Sequence, residues 1–549
     1  MGEAARSRWP AWAPALLIVA VTLAASASSL GNGFAYDDVH AIGNNEQLHT
    51  LAEPWRFFTE TYWPPGKFGG GSTLYRPITS LSFAIEWAVG GGSPAVFHLT
   101  NVLLYICVCL AVLALARALL PDWVAVLAAA LFAADPLHVE AVGNVVGQGE
   151  LWAALFSVLA VLVFLRARNA AGLNHEARLW LYGYYFLACL SKDNGLILPG
   201  LLLAAEFTVV QDPRPLRDRL SALASFWGIL IGVGVVYLVL RTHVTGSLAG
   251  DFPNILIGTA TYPERLFTML RVALEWPRLL LWPAHLQADY SPLDFVRETS
   301  FGPLQFAGLG MLVTAVWLTV WSWRRRPIVA FGMLWIGVAI FPVSNLVLKA
   351  GIVLAERTLF LASVGAALAV GAGLAAVFEV EGLTRRLALA GATVVIVLGC
   401  WRSALRQPVW RDSATLFAQT VRDAPRNYRA HWTYGLSLFE RGYHESAFTE
   451  MATAIGLYPA DPTLYSDTGD IYRTAGQCDR AIDFYNQALA IAPDMKYTRS
   501  RLASCYMRTG RFADSRAELR RLVADGYPEF GSLIASVDSA EAAASSTFR

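Results

Sequence analysis

Residues 1–405 form a series of apolar segments separated by short polar loops. Eleven segments are near the length that spans about 30 Å of hydrocarbon. They are 12–30, 97–119, 121–135, 149–166, 179–191, 195–210, 221–240, 304–323, 328–343, 357–378 and 386–402. Several are short, which suits half-buried helices of a bundle. The pattern predicts a polytopic helical membrane domain over 1–405, whose first segment is expected to remain as an anchor rather than to be removed as a signal.

A different pattern begins at residue 406, where polar residues increase and small residues recur at a fixed period. Positions 34 residues apart carry Gly435, Gly469 and Ala503, and likewise Pro425, Pro459 and Pro493. This is the period of the tetratricopeptide repeat, a helix pair that stacks into an α-solenoid. The sequence predicts an all-α chain with a half-repeat and three repeats over 406–530, followed by a polar, frayed tail over 531–549.

The arginines predict how the membrane domain is oriented. They cluster in alternate loops, at 166–178, 214–219, 324–326 and 385–386. Loops rich in Arg and Lys stay in the cytoplasm. With eleven crossings, the loops that contain Asp37, His138, Lys192 and Glu356 therefore open on the opposite face, together with the repeats.

Composition narrows the class of protein. The 549 residues are 55% hydrophobic and 15% charged, with 18 Trp and 20 Tyr, which suits a chain that crosses two membrane interfaces. The formal net charge is +1, so no broad basic field indicates a nucleic-acid partner. The six cysteines have no spacing that requires a disulfide or a metal.

Two adjacent carboxylates follow the first membrane segment. Asp37 and Asp38 lie in FAYDDVHAIGNN, and ionisable residues so close to a bilayer are functional candidates. A carboxylate can accept the proton of an attacking hydroxyl while a phosphate leaves, so the pair is assigned as the catalytic site. A helix-capping role is the structural alternative, and the sequence leaves open whether a divalent cation takes part.

A leaving phosphate needs fixed cations at the membrane face. Arg76 in YRP is the first choice, because the planar guanidinium can bind two phosphate oxygens. Arg357 in AERTLFL and Lys192 in SKDN are the next candidates. As alternatives, Arg357 could pair with Glu356, Lys192 with Asp193, and any of the three could be a snorkelling side chain.

Further polar residues of the same loops are candidates for binding the sugar. They are His98, His138, Glu140, Glu150, Asp289 and Glu356. The two histidines could also serve a metal pair or a proton relay, or act only as interfacial hydrogen-bond donors. No third ligand with helical spacing accompanies them, so no metal site is assigned.

The order of the loop motifs carries a family resemblance. The motifs are FAYDDVHAIGNNEQL, YRPITSLSFAIEW, PAVFHLTN, DPLHVEAVGNVVGQGEL, SKDNG, LQADYS, FPVSNL and AERTLFL. Together they resemble the transmembrane-and-tetratricopeptide-repeat O-mannosyltransferases, a family with the GT-C fold. That family usually has His, Arg and Glu where this chain has Asp135, Gln148 and Asp193.

The resemblance implies an inverting glycosyltransferase. It would move a sugar, with mannose expected, from a polyprenyl or dolichyl phosphate donor to Ser or Thr hydroxyls on the far side of the membrane. The repeats would hold the acceptor polypeptide in their groove. Other functions consistent with the sequence are a membrane-anchored repeat scaffold without activity, a transferase that acts on a lipid or glycan, and a lipid-sugar flippase or ligase.

The expected location is a bacterial plasma membrane, with the active site and the repeats on the periplasmic side. The composition, the lack of an Asn-x-Ser/Thr sequon and the lack of a terminal retention signal favour it. In a eukaryote, the endoplasmic reticulum membrane would take its place.

Overall fold

The structure is a computed structural model that describes residues 10, 12–63, 74–168, 172–248, 256–290, 295–347, 349–378 and 382–547. Arg6 and Arg8, which precede the first membrane segment in the sequence, lie outside the described residues. The regular elements are helices, which confirms the all-α class. The chain divides into two compact units, Met1–Leu416 and Phe417–Arg549.

The first unit is a bundle of long apolar helices with shorter helices between them. They are α1 (Ala13–Ser26), α2 (Pro77–Gly90), α3 (Pro94–Leu119), α4 (Asp122–Ala134), α5 (Val139–Gly143), α6 (Gln148–Ala167), α7 (His175–Ser191), α8 (Leu198–Thr208), α9 (Leu216–Ala222), α10 (Ala224–Thr245), α11 (Tyr262–Val272), α12 (Glu275–Leu281), α13 (Pro303–Arg325), α14 (Pro327–Ile340), α15 (Phe360–Phe378) and α16 (Leu383–Arg406). All eleven predicted segments coincide with helices.

By length and composition, eight helices of the described chain can cross a membrane. A ninth span results if Asp122–Ala134 and Pro136–Gly143, which bend by 46°, count as one. The bend falls at Pro136, whose ring cannot continue the backbone ladder of α4. The predicted spans 179–191 and 195–210 are instead the short helices α7 and α8, of 17 and 11 residues. The chain is an integral membrane protein.

Charged residues gather at the two ends of the bundle. Helix α6 has Glu150 in its first turn and Arg166 in its last, roughly 24 Å apart at 1.5 Å per residue. At the end where α6 finishes, the buried Arg168 pairs with Glu206 at 2.8 Å and with Asp212 at 3.0 Å. We call this the basic end, and the end that contains Glu150 the acidic end.

Close packing of α14 on α15 fixes the turn that carries two candidate residues. A Cβ atom on Gly332 would lie 2.4 Å from the Gly365 carbonyl oxygen, and a Cβ on Gly365 would lie 2.5 Å from that of Gly332. Small residues let membrane helices approach this closely. Glu356 and Arg357 lie in the 3-10 turn Glu356–Leu359, which leads directly into α15, so the packing of α15 sets the position of this turn.

The first unit extends past the predicted boundary at 405. The backbone N–H of Gly33 donates to the Arg411 carbonyl oxygen at 2.8 Å, and that of Tyr36 donates to Ser413 Oγ at 2.9 Å. These bonds hold the segment after α16 against the loop that carries Asp37, so the first unit ends at Leu416.

The second unit consists of paired helices at the predicted period. From the helix that joins the units, they are α17 (Ser413–Asp423), α18 (Tyr428–Glu440), α19 (His444–Leu457), α20 (Pro462–Thr474), α21 (Cys478–Ile491), α22 (Lys496–Arg508), α23 (Phe512–Ala524) and α24 (Gly531–Thr547). A Cβ on Gly469 would lie 2.6 Å from the ring of Tyr485, which explains a small residue at this point of the repeat.

The prediction of a frayed tail after residue 530 was wrong. The segment forms α24, and its Val537 is buried in a cluster with Leu519 and Leu522 of α23. The last hydrophobic face of a solenoid needs a cover, and α24 supplies it.

Candidate active site

The two adjacent aspartates have different environments. Asp38 is fully buried, and its carboxylate accepts backbone N–H bonds from Val146 at 2.8 Å, Val145 at 3.2 Å and Ala35 at 3.3 Å. Burial raises the pKa of Asp38 to about 7, and the three backbone bonds partly oppose the shift. Asp38 therefore holds its loop against the residues that precede α6, and its carboxylate is less accessible to an incoming hydroxyl than that of Asp37.

Asp37 faces the acidic end, where its side chain is 24% exposed. The residue before it, Tyr36, has a φ of +52°, a left-handed conformation that is uncommon for an aromatic residue. Val39–Gly43 then form a π-helical turn. This local geometry turns Asp37 towards Arg357, whose Nη2 lies 3.8 Å from Asp37 Oδ2.

Arg357 connects two carboxylates. Its backbone N–H donates to Glu140 Oε2 at 2.8 Å, and its Nη1 donates to Glu140 Oε1 at 2.6 Å. The possible pair of Arg357 with Glu356 is therefore wrong. Glu356 instead accepts from the Gln287 backbone N–H at 2.5 Å and from the Tyr290 hydroxyl at 3.1 Å.

Lys192 also pairs with a residue distant in sequence. Its Nζ donates to Glu150 Oε1, and Asn194 Nδ2 donates to Glu150 Oε2 at 2.8 Å. The possible pair with Asp193 is wrong, since Asp193 accepts from the Tyr237 hydroxyl at 2.5 Å and from Arg241 Nε at 3.1 Å.

The pKa of Lys192 shows that three cations share one region. Burial lowers this pKa to about 8, Glu150 opposes the shift, and the positive charges of Arg76 and Arg357 add to it. Arg76 and Arg357 are thus both close enough to Lys192 for their charges to repel its ammonium group. An anion placed between them would relieve that repulsion.

Arg76 differs from the other two cations in its partners. It immediately precedes α2, and its guanidinium carbon lies 5.0 Å from the centre of the Tyr62 ring. Its buried Nε donates no hydrogen bond, and Arg76 forms no ion pair within the described residues. Arg76 therefore has the largest unused capacity to bind an anionic ligand.

The two candidate histidines support the bundle rather than line an open surface. His98 is buried, with its Nε2 3.0 Å from the Gly33 carbonyl oxygen. The His138 ring lies between the Tyr105 hydroxyl and Ser363 Oγ, each at 2.8 Å. These positions match the interfacial hydrogen-bonding alternative and not direct contact with a sugar. Asp289 is half-buried.

Sequence reasoning missed a second buried polar group near the acidic end. Gln148 Nε2 donates to Glu86 Oε1 at 2.9 Å and to Asn101 Oδ1 at 3.0 Å. Burial raises the pKa of Glu86 to about 8, while the bonds from Ser82 and Gln148 lower it. The signal was available, because Glu86 is a carboxylate within an otherwise apolar helix.

The described residues contain no group of three or more His, Cys, Asp or Glu side chains arranged to hold a metal ion. Fold and site thus define a polytopic membrane protein with a mixed cationic and carboxylate cluster at one end and a repeat unit at its C-terminus.

Comparison with known families identifies the repeat unit directly. Tetratricopeptide-repeat family models match residues 402–462 and 472–537. The predicted solenoid is therefore confirmed as a tetratricopeptide-repeat unit.

Similar curated proteins cover most of the chain. Human protein O-mannosyl-transferase TMTC4 is 27% identical and covers 80% of this chain, which in turn covers 65% of that protein. Drosophila melanogaster protein O-mannosyl-transferase Tmtc3 is 26% identical and covers 84% of this chain, which covers 57% of that protein. Caenorhabditis elegans protein O-mannosyl-transferase F38B6.6 is 24% identical and covers 81% of this chain, which covers 63% of that protein. The chain spans a little under two thirds of the length of these relatives.

One similar solved structure is that of the archaeal oligosaccharyltransferase AglB from Archaeoglobus fulgidus, in complex with an inhibitory peptide and a dolichol-phosphate. It is 15% identical, covers 76% of this chain and has a TM-score of 0.35, with 60% of its own chain covered. The curated relatives confirm the resemblance in the loop motifs: this chain is related to the transmembrane-and-tetratricopeptide-repeat O-mannosyltransferases.

Proposed function

We propose that the protein is a GT-C-type membrane glycosyltransferase that moves a sugar from a lipid-linked phosphate to a hydroxyl group. The observation that carries the proposal is the position of the cations: Arg76 and Arg357 both lie near Lys192, and Arg357 lies 3.8 Å from the partly exposed carboxylate of Asp37. Three cations can hold a phosphate, and a carboxylate can take a proton from the attacking hydroxyl. The names of the relatives favour mannose as the sugar and a protein as the acceptor.

The reaction we propose is a single displacement with inversion at the anomeric carbon. The acceptor oxygen forms a bond to that carbon as the bond to the phosphate oxygen breaks, and the phosphate leaves with the electron pair. Asp37 takes the hydroxyl proton, and the cations stabilise the charge that develops on the leaving phosphate. Glu140 and Glu150 hold Arg357 and Lys192 in place.

The donor's polyprenyl tail would remain in the bilayer while the protein binds its phosphate and sugar. The tetratricopeptide-repeat unit would hold the acceptor polypeptide, since solenoids present extended concave surfaces. We propose a bacterial plasma membrane with the acidic end facing the periplasm, or the endoplasmic reticulum lumen in a eukaryote.

Donor consumption by the purified protein tests the function. The protein would be incubated with radiolabelled polyprenyl-phosphate mannose, or with the glucose analogue, and with periplasmic proteins, with Mg²⁺ or EDTA. Transfer of label to protein is expected from the mannose donor, and Asp37→Asn serves as the inactive control. Label found on lipid or glycan would show that the acceptor is not a protein. If no donor were consumed, a membrane-anchored repeat scaffold without activity would be favoured.

Arg76→Ala is expected to weaken donor binding. A charge-assisted hydrogen bond is worth about 1.5–3 kcal/mol, which corresponds to an increase in donor KM of about 10- to 150-fold. Arg76→Lys should recover part of this loss, because an ammonium group lacks the planar fork. Donor titrations with saturating acceptor measure it. An unchanged donor KM in the alanine variant would assign the phosphate to Lys192 and Arg357 alone.

The lowered pKa of Lys192 predicts that kcat/KM for the donor depends on pH. Its pKa is lowered to about 8, so the free enzyme loses this positive charge as pH rises through about 8. A phosphodiester donor does not titrate in that range, and kcat/KM reports ionisations of the free enzyme. We expect kcat/KM for the donor to fall above about pH 8, and Lys192→Arg to remove that fall. A fall of equal size in Lys192→Arg would exclude Lys192 as its source.

Fusion reporters test the orientation. A reporter after Arg326 lies at the basic end and is expected to be active only in the cytoplasm, whereas one after Arg549 should be active only across the membrane. Activity of both on one side would contradict the proposed periplasmic location of the repeats. Reporter protein levels on immunoblots provide the control for expression.

A further inference from the structure

The basic end contains a pocket that the proposed reaction does not use. Its volume is about 530 Å³, within the range of small-molecule sites in proteins. It lies where α3, α6 and α8 end, and its walls come from residues 117–119, 165, 166, 168 and 209–211. Since Arg166 and Glu150 lie near opposite ends of α6, the pocket is separated from the candidate active site by most of that helix.

The walls combine a cation with apolar surface. Arg166 is exposed and forms no hydrogen bond or ion pair within the described part of the chain. Arg117 is half-buried, and its Nε pairs with Asp122 at 2.6 Å, which leaves its two Nη groups to contact a ligand. Leu119 and Leu165 lie beside these arginines and supply an apolar wall.

The floor of the pocket is rigid. Arg168 is bonded to Glu206 through Nε at 3.0 Å and Nη2 at 2.8 Å, and Arg219 Nε donates to Glu206 at 2.9 Å. These side chains are buried, so Arg168 forms a fixed wall and its charge is already compensated. Arg166 and Arg117 remain as the groups that can meet a ligand.

We propose that this pocket binds an anionic phospholipid from the leaflet at the basic end. Its phosphate would contact Arg166 and Arg117, and an acyl chain would lie along Leu119, Leu165 and Val209. Basic pockets between membrane helices suit such headgroups, because the anion neutralises an unpaired cation while the chain covers apolar wall. The bound lipid would hold the ends of α3, α6 and α8 together.

Native mass spectrometry of the full-length protein tests the proposal. The protein would be released from nanodiscs that contain phosphatidylglycerol or phosphatidylcholine, and retained lipid would be counted. We expect retention of phosphatidylglycerol, and a decrease of about 10- to 100-fold in its apparent affinity for Arg166→Ala, which loses a charge-assisted contact. Arg217→Ala is the matched control, because it removes an exposed arginine from the same end but outside the pocket.

Two further arms distinguish the source of the anion. Ala118→Trp, at an exposed position of the pocket wall, should block retention without removing a charge. Soluble glycerophosphate should compete poorly, because it lacks acyl chains. Equal retention of phosphatidylglycerol by wild type and both pocket variants would overturn the proposal, as would equal retention of phosphatidylcholine. Strong binding of glycerophosphate would overturn it in favour of a soluble anion. Melting temperatures of the variants confirm folding.

Discussion

Asp37→Asn is expected to lower turnover by about 10²- to 10⁴-fold and to leave the melting temperature near that of the wild type, because a general base is lost from a partly exposed position. The amide keeps the shape of the carboxylate but cannot accept the hydroxyl proton. Initial rates at saturating donor and acceptor measure the effect. Retention of more than about a tenth of wild-type turnover would place the base elsewhere.

Asp38→Asn is the matched comparison at the neighbouring position. One oxygen of its carboxylate accepts from the backbone N–H groups of Ala35 and Val145, and the other accepts from that of Val146. Asparagine keeps only one acceptor oxygen, so its NH₂ would face at least one of these donors, which would be left without an acceptor. We therefore expect a lower melting temperature, with a loss of about 1–3 kcal/mol for buried donors left unpaired. If Asp38→Asn were as stable as the wild type but inactive, Asp38 and not Asp37 would be the base.

Arg357→Met is expected to have the second large effect, on both folding and activity. It leaves the buried Glu140 carboxylate without its cation, and breaking a buried pair in this way costs about 3–5 kcal/mol. The double variant Arg357→Met/Glu140→Gln removes the uncompensated charge and should regain most of the stability. It should remain inactive, because one phosphate-binding cation is still absent.

Thermal melting and donor turnover of both variants separate the two roles of Arg357. Arg357→Lys serves as the control that keeps the charge. Activity of the folded double variant would show that Arg357 only stabilises the bundle, and would leave Arg76 and Lys192 to bind the donor phosphate.

Some features followed from the sequence because they depend on residues close together in the chain. Apolar runs predicted every helix that is long enough to cross a membrane, although they also predicted spans at the shorter helices α7 and α8, and the 34-residue period predicted the repeat helices. Helix ends and repeats are local properties, set by side chains a few residues apart. The exception is the segment after 530, whose helix depends on Val537 packing against the preceding repeat rather than on its own polar pattern.

The sequence predicted the residues of the candidate site but not how they pair. The sequence named Asp37, Arg76, Lys192 and Arg357 by residue type and loop position, and the structure places them together at the acidic end. The sequence alone could not assign the ion-pair partners of these residues. Neighbours in sequence suggested pairs with Asp193 and Glu356, whereas the structure pairs Lys192 with Glu150 and Arg357 with Glu140.

The sequence did not predict these pairs because the groups that meet in space lie far apart along the chain. Arg357 and Glu140 are 217 residues apart, and Asp38 and Val146 are 108 apart. Such contacts depend on how α6 and α15 pack, which no local pattern encodes. By itself, the sequence determined the membrane helices, the repeats and the chemical types available. Only the tertiary structure decided which aspartate is partly exposed and which cation lacks a carboxylate partner, because burial and pairing are properties of the packed bundle.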